Sequence, residues 1–227
     1  MSKRVKAPKS YDHKPAKLLL YRWGGKWGPF KVKIPCGECT LTTDIVKDVL
    51  EHELKTAKVE LTVRDWLSHM VKAVFQGARH APVLMLNGKV LSQGVAINRG
   101  LLAEAVMTEH VQHFPLKETH IFGKENCGYC TKAKAMAESA GIAFDYHDVV
   151  KNPGAMYEML ARVKPIVGPK TPITTPQIWI DGEYIGGYDQ LRAHLETQPA
   201  TLDDRPQAPD FKIEIGDPER RLDKVLH

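Results

Sequence analysis

Apolar and polar positions along the chain fall into two stretches that repeat one order of periodicities. Residues 17–23 (KLLLYRW) are mostly apolar and read as a strand. Beyond a glycine-rich segment, Leu41, Ile45, Val46, Val49, Leu50 and Leu54 recur at helical spacing on one face. Residues 59–63 (VELTV) alternate as a strand does, and Trp66, Leu67, Met70, Val71, Val74 and Phe75 return to helical spacing. Residues 83–86, an Asn87-Gly88 turn and residues 90–91 predict a hairpin, and residues 101–107 a closing helix. The second stretch predicts a strand over 120–122 and a helix from Cys127 to about 140, stopped by Gly141. Then come a strand over 144–149 and a helix over 156–163. A hairpin over 177–180 and 183–185 turns at Asp181-Gly182, and a helix over 191–195 ends the stretch.

The order β-α-β-α-β-β-α, met twice, predicts an α/β chain of two tandem domains, each a mixed central sheet flanked by helices. With a C-x-x-C after the first strand each time, this is the arrangement of the thioredoxin fold. The expected division is a basic N-terminal arm (1–16), a first domain (17–110), a second (117–196) and a Pro-rich tail (197–227). The break between domains is expected within 109–119, where helical periodicity fades and Pro115 intervenes. The tail carries Pro199, Pro206, Pro209 and Pro218.

Composition narrows the picture. At 227 residues, 43% hydrophobic and 26% charged, the sequence has a globular balance. No apolar run approaches the roughly 20 residues of a membrane span, so no membrane partner is expected. The basic N-terminus lacks the apolar core of a secretory signal, which makes the cytoplasm the expected location. Net charge is +5, part of it on Lys3, Arg4, Lys6, Lys9, Lys14 and Lys17. Those cations are not interleaved with aromatic residues as a nucleic-acid surface wants, so the arm reads as a solvated tail.

All four cysteines lie in two C-x-x-C pairs, Cys36/Cys39 and Cys127/Cys130. In a reducing compartment that usage points to redox or metal chemistry. A zinc ribbon would hold its two pairs about 15–20 residues apart; here a whole predicted domain separates them. No metal site is therefore expected. Thiolates, not thiols, attack disulfides, so a reactive cysteine must ionise below the usual value of about 8.5. Each first cysteine is predicted at a helix N-terminus, where unpaired N–H groups and the helix dipole favour negative charge.

The second half resembles the glutaredoxins over roughly residues 119–196. Cys127-Gly128-Tyr129-Cys130 is similar to their C-[PGS]-Y-C site, Thr174-Thr175-Pro176 to their T-V-P segment, and Gly186-Gly187-Tyr188-Asp189 to their G-G-x-[DT] turn. The resemblance implies a glutathione-dependent thiol–disulfide oxidoreductase, with Cys127 as nucleophile and Cys130 resolving the mixed disulfide. It implies a cis Thr175–Pro176 bond, and glutathione as co-substrate. Thr175 would pair with the tripeptide's backbone, Lys124 would meet its glycine carboxylate, and Gly187, Tyr188, Asp189 and Gln190 would meet its γ-glutamyl end. Tyr129 and Pro176 complete that binding set. Two departures stand out. Gln190 replaces a common second Asp, and Gly128 replaces the commoner proline. Some glutaredoxins without that proline ligate a two-iron two-sulfur cluster between two subunits with glutathione, through the cysteine at Cys127. A dimer would follow in that case, and a monomer otherwise.

The first half is thioredoxin-like. Cys36-Gly37-Glu38-Cys39 fills the corresponding site and Ala81-Pro82 the cis-proline position, but Ser92-Gln93-Gly94-Val95-Ala96 replaces the G-G-x-D turn. Glu38 places an acid beside the first cysteine, which opposes thiolate formation, and Lys31 and Lys33 stand ready to offset it. Residues 23–35 exceed a normal strand-to-cysteine loop, and Trp23, Trp27 and Phe30 are either local core or a docking surface. Cys36 and Cys39 are accordingly candidates for a second redox pair that relays electrons. Three function classes are carried forward: an oxidoreductase acting on disulfide-containing protein clients, an iron–sulfur carrier, and an adaptor whose first domain docks the client.

Overall fold

The computed structural model describes residues 14–168 and 171–197; most of the basic arm and of the Pro-rich tail lies outside these residues. The first half runs β1 (Ala16–Arg22), β2 (Gly25–Trp27), β3 (Phe30–Val32), α1 (Gly37–Glu51), β4 (Val59–Asp65), a 3-10 turn (Leu67–His69), α2 (Met70–Phe75), β5 (Val83–Leu86), β6 (Lys89–Gln93) and α3 (Arg99–His113). The second runs β7 (His120–Gly123), α4 (Gly128–Ser139), β8 (Asp145–Asp148), α5 (Pro153–Val167), β9 (Gln177–Ile180), β10 (Glu183–Gly186) and α6 (Tyr188–Thr197).

Two four-stranded mixed sheets share one topology, β4-β1-β5-β6 and β8-β7-β9-β10. In each, the first strand lies parallel to the second and antiparallel to the third: Leu18 faces Leu61 and Leu86, as Ile121 faces Tyr146 and Ile178. Both hairpins turn on residues with positive φ, Asn87 (48°) and Gly88 (81°), then Asp181 (49°) and Gly182 (79°). Paired positive φ values suit a two-residue turn that follows the twist of its strands.

The period-two alternation of strands sorts side chains onto two faces. Leu18 and Leu20 of β1, with Leu84 and Leu86 of β5, join α1 and α3 in one core. Tyr21, Val83 and Met85 meet Trp66 and Ala73 on the other face. In the second sheet Ile121 and Ile178 pack with α4 and α6 residues, whereas Phe122 and Trp179 pack with α5. The Phe122 and Trp179 rings meet edge to face, with centroids 5.4 Å apart.

α5 joins the halves. Ala155, Met159 and Val163, four residues apart, point into the second core. Tyr157 and Ala161, on the opposite side, pack into the first. A helix apolar on two sides is one buried between two layers. Two polar contacts reinforce the joint: an ion pair between Lys164 and Glu104, and a 2.8 Å bond from Arg162 Nη2 to the Phe114 carbonyl. Gly154 makes the close approach possible, since a Cβ there would stand 2.6 Å from the Glu53 carbonyl oxygen.

Three departures from the sequence reading have physical causes. The buried face of α1 runs through Cys39, Thr42, Thr43, Val46 and Val49, and leaves Leu41 half exposed. Thr43 can be buried because its hydroxyl donates to the Cys39 carbonyl at 2.7 Å. The helix expected over 66–75 is a 3-10 turn plus six α-helical residues, with Val71, Val74 and Phe75 turned to solvent. Residues 23–35 hold a small hairpin, β2–β3, whose three-residue strands are too short to show a period. Trp23 belongs to the core there, with its ring 5.3 Å from that of Trp66, while Trp27 and Phe30 are exposed.

Candidate functional site: two helix-capping dithiols

Each C-x-x-C pair stands where the first strand of its sheet hands over to a helix. The approaches differ. Pro35 precedes Cys36, whereas Asn126 precedes Cys127 with φ 55°, a left-handed conformation that asparagine adopts more readily than most residues. Both routes deliver the cysteine in extended conformation as the N-cap of its helix, Cys36 at φ −134° and Cys127 at φ −111°.

At an N-cap the side chain takes up one of the helix's unpaired N–H groups. Here sulfur does so: the Cys130 N–H points at Cys127 Sγ over 3.2 Å, and the Cys39 N–H at Cys36 Sγ over 3.1 Å. The same donor strengthens when the sulfur becomes an anion, because a charged acceptor roughly doubles such a bond. Both pairs are in the disulfide form. The inner sulfurs are sealed, with Cys39 4% and Cys130 1% exposed, while Cys36 and Cys127 are half-buried. An incoming partner therefore meets the first cysteine of each pair.

Around Cys127 the sequence-predicted residues come together in part. Cys127 Sγ lies 3.8 Å from both the carbonyl oxygen and the hydroxyl oxygen of Thr175. The Thr175–Pro176 bond is cis and Pro176 is buried. Tyr129 is exposed, its ring 5.8 Å from the ring of Tyr188, the first residue of α6. Lys124 is exposed in the loop between β7 and Cys127, and Asp189 is exposed in the first turn of α6. Gln190 holds the turn together: its Oε1 accepts the Gly187 N–H at 3.1 Å. That is the return half of a capping box, in which the third residue of a helix reaches back to its N-cap.

Two residues missed from sequence surround the inner sulfur. A Cβ on Gly123 would meet Tyr146 Oη at 2.8 Å and Cys130 Sγ at 3.2 Å. The glycine ending β7 thus makes room for both. A glycine at a strand end is a sign of close approach. Tyr146 carried no such sign. Burial raises its phenol above the ordinary value, and Lys134 Nζ lies 4.5 Å from its ring centre.

Around Cys36 the backbone frame is the same and the side chains differ. The Ala81–Pro82 bond is cis. Cys39 Sγ accepts the Trp23 N–H at 3.3 Å. A groove of about 480 Å³ opens beside Cys36, lined by Trp23, Trp66, Pro35, Ala81, Arg79 and His80 together with Gly37 and Glu38. Glu38 turns away from it at its tip, Oε2 accepting the Ala96 N–H at 2.6 Å in the segment that leads into α3.

Away from both dithiols, Glu118, His120 and Asp145 bring one potential ligand atom each within 4.8 Å of one another. They cluster at the start of β7, the end opposite Cys127. His120 Nδ1 lies 2.9 Å from His147 Nε2.

The second half is similar in sequence to known proteins. The Glutaredoxin family model matches residues 120–185. Glutaredoxin 3 of Escherichia coli K12 is 36% identical over 78 residues, covering 34% of this chain and 86% of its own length. Glutaredoxin 1 of the same organism is 34% identical over 86 residues, covering 35% and 93%. The structure of reduced Escherichia coli glutaredoxin aligns with 35% of this chain and 93% of its own, at 28% identity and a TM-score of 0.29. A half-buried sulfur capping a helix, a sealed sulfur one turn on, and the likeness in sequence lead to one conclusion: the chain belongs to the glutaredoxin family, and its chemistry is thiol–disulfide exchange.

Proposed function

We propose that the second half is a glutathione-dependent reductase of protein disulfides and glutathione mixed disulfides. The observation that carries this reading is the setting of Cys127: half-buried, capping α4, and 3.8 Å from the Thr175 backbone carbonyl. Reduced Cys127, as thiolate, attacks one sulfur of the substrate disulfide. A mixed disulfide forms, and the other substrate sulfur leaves as a thiolate that takes up a proton. From a protein mixed disulfide, Cys130 then attacks Cys127 Sγ, closing the Cys127–Cys130 disulfide and releasing the client's second thiol. Two glutathione molecules restore the dithiol and leave as glutathione disulfide, so electrons balance. A glutathionylated Cys127 needs only one more glutathione. A reducing compartment such as the cytoplasm would supply it.

In this reading Thr175 pairs with the tripeptide backbone and Lys124 receives the glycine carboxylate. The Gly187–Asp189 turn at the α6 N-terminus receives the γ-glutamyl end, where helix N–H groups suit an anion. Gln190 supports the turn by holding Gly187 instead of offering a charge of its own. Cys130 stands one turn beyond Cys127, with their Cα atoms 5.2 Å apart, where it can resolve a mixed disulfide, a step that exchange uses and cluster binding does not; the oxidoreductase reading is the one we adopt.

The test is glutathione-coupled reduction of a glutathionylated small substrate. Cys127→Ser should abolish turnover. Cys130→Ser should keep reduction of the glutathione mixed disulfide but stall on a protein disulfide, trapping the client. Undiminished turnover in Cys127→Ser would overturn the assignment.

A further inference from the structure

We infer that Cys36–Cys39 is a second exchange site, which accepts cysteines within a polypeptide and turns glutathione away, and that Glu38 sets this preference. The inference rests on the proposed reading of the second half, in which the connection from the last strand to the last helix receives a carboxylate. Because the two sheets share one topology, the equivalent connection in the first half runs from Gln93 to Arg99. There the Ala96 N–H is already occupied by the Glu38 carboxylate, at 2.6 Å. In the first turn of α3 the Leu101 N–H is taken as well, by Asn98 Oδ1 at 3.0 Å.

Glu38 and Tyr129 are the same position of the two C-G-x-C motifs, and each reaches the last connection of its half: Tyr129 by its ring toward Tyr188, Glu38 by its carboxylate toward Ala96. In the second half the donor at that point, the Gly187 N–H, is held by a neutral amide. In the first the Ala96 N–H is held by a carboxylate, which adds a negative charge beside it. Glutathione carries a carboxylate at each end and needs two receptors. Arg79 on the groove wall supplies a cation for one; the other receptor is filled by the chain's own acid.

An internal cysteine of a polypeptide has no terminal carboxylates to place. It needs room beside Cys36, apolar contact and a backbone edge. The groove gives apolar contact on Trp23, Trp66 and Pro35. Its backbone edge is Ala81, the residue before the cis proline, as Thr175 is at the other site. The step balances as a dithiol–disulfide exchange: Cys36 sulfur attacks the client disulfide and expels one client thiolate. Cys39 sulfur then displaces the other, leaving Cys36–Cys39 oxidised and the client with two thiols.

The test uses the full chain carrying Cys127→Ser and Cys130→Ser, so that only the first dithiol reacts. Its oxidation by glutathione disulfide and by a disulfide-bridged peptide with blocked, uncharged termini is followed by the fluorescence of Trp23 and Trp66. The peptide should react about tenfold faster than glutathione disulfide. Glu38→Ala should raise the glutathione rate by about tenfold and narrow that ratio. Glu38→Gln, which keeps an acceptor for the Ala96 N–H but loses the charge, should fall between, and serves if the alanine variant folds poorly. Removing the acid also eases thiolate formation, but that accelerates both oxidants alike, so the ratio decides. Equal rates in the parent, or a ratio unmoved by Glu38→Ala, would overturn the inference. The same pair of oxidants on the chain carrying Cys36→Ser and Cys39→Ser separates the two readings: loss of a glutathione preference there would fault the proposed function, not the role of Glu38.

Discussion

The two halves make their dithiols from one backbone plan, and they part company at the start of the last helix. In the first half that point is locked by charge. Arg99, the first residue of α3, places Nε 2.5 Å and Nη2 2.9 Å from the two oxygens of Glu53, and also pairs with Asp48. Asn98 caps the same helix. In the second half the N-cap is a glycine, held by the neutral amide of Gln190. The difference teaches where each half spends its polar groups. Sulfur chemistry is supplied by the N-cap position itself, so the side chains around the last helix are free to differ, and there the two sites diverge.

The sharpest way to break the comparison is to remove each first cysteine in turn. Cys127→Ser should lower glutathione-coupled turnover by about a thousandfold or more, the scale of losing a nucleophile. Cys36→Ser should leave turnover of a small glutathionylated substrate within about twofold, since that site lacks an open carboxylate receptor. Equal losses in steady-state assays would mean that the halves work as a single relay in series.

The locked helix start should matter most for stability. Glu53 is 7% exposed, so Arg99→Ala would strand a carboxylate with little access to water. Removing one partner of a buried pair costs about 3–5 kcal/mol; because Arg99 is itself nearly half exposed, about 2 kcal/mol is the expected loss. Chemical denaturation measures it. Arg99→Met together with Glu53→Leu should recover most of the loss, since apolar replacement of both partners removes the stranded charge.

Gly123→Ala probes the other half. The added methyl would overlap Tyr146 Oη and press on Cys130 Sγ, an overpacking expected to cost about 1–3 kcal/mol. Its mark should be a slowed release of protein clients, which needs Cys130, with reduction of glutathione mixed disulfides affected less. Tyr146→Phe combined with Gly123→Ala should restore part of the rate.

One half-buried histidine in each half gives a common pH response. Burial is the leading cause that lowers His110 and His147 below the usual value, and the neighbouring His120 adds to the effect at His147. His110 stacks on Phe114 with centroids 4.5 Å apart, and His147 on Phe122 at 4.7 Å. A lowered folded-state value means that the unfolded chain takes up the proton first as pH falls. Stability should therefore hold above about pH 7 and decline as pH drops through about 6.5 toward the lowered values. Thermal melts between pH 7.5 and 5.5 should show the decline, and His147→Asn should flatten it.

Much of this was legible in the sequence. The element order, both hairpin turns and the placement of each C-x-x-C at a helix start follow from periodicity, turn residues and spacing. The nearness of Thr175 to Cys127 and the cis Thr175–Pro176 bond follow from the resemblance to glutaredoxins. What escaped has a physical reason. A capping box needs Gln190 to be third in α6, but the apolar spacing of that helix shows only from Leu191 onward, so its first turn was invisible. α5 reads from sequence as a helix with one core, because a second buried face has no separate period. The Glu38–Ala96 contact joins residues 58 apart, a distance over which no local pattern reports.

The smallest effects test the caps themselves. Asn98 satisfies a helix donor with its side chain, and replacing such a cap by alanine costs about 1 kcal/mol. Gln190 contributes only the return bond of its box, so Gln190→Ala should cost about 0.5 kcal/mol. The functional consequences should run in the opposite order. Asn98→Ala should leave glutathione-coupled turnover unchanged. Gln190→Ala frees the Gly187 N–H but loses the hold on the turn meant to receive the γ-glutamyl end, and should raise KM for glutathione by about two- to fivefold with kcat little altered. A kcat loss with KM unchanged would place Gln190 in the chemistry instead, and would mean that the second half's last helix is more than a platform for the tripeptide.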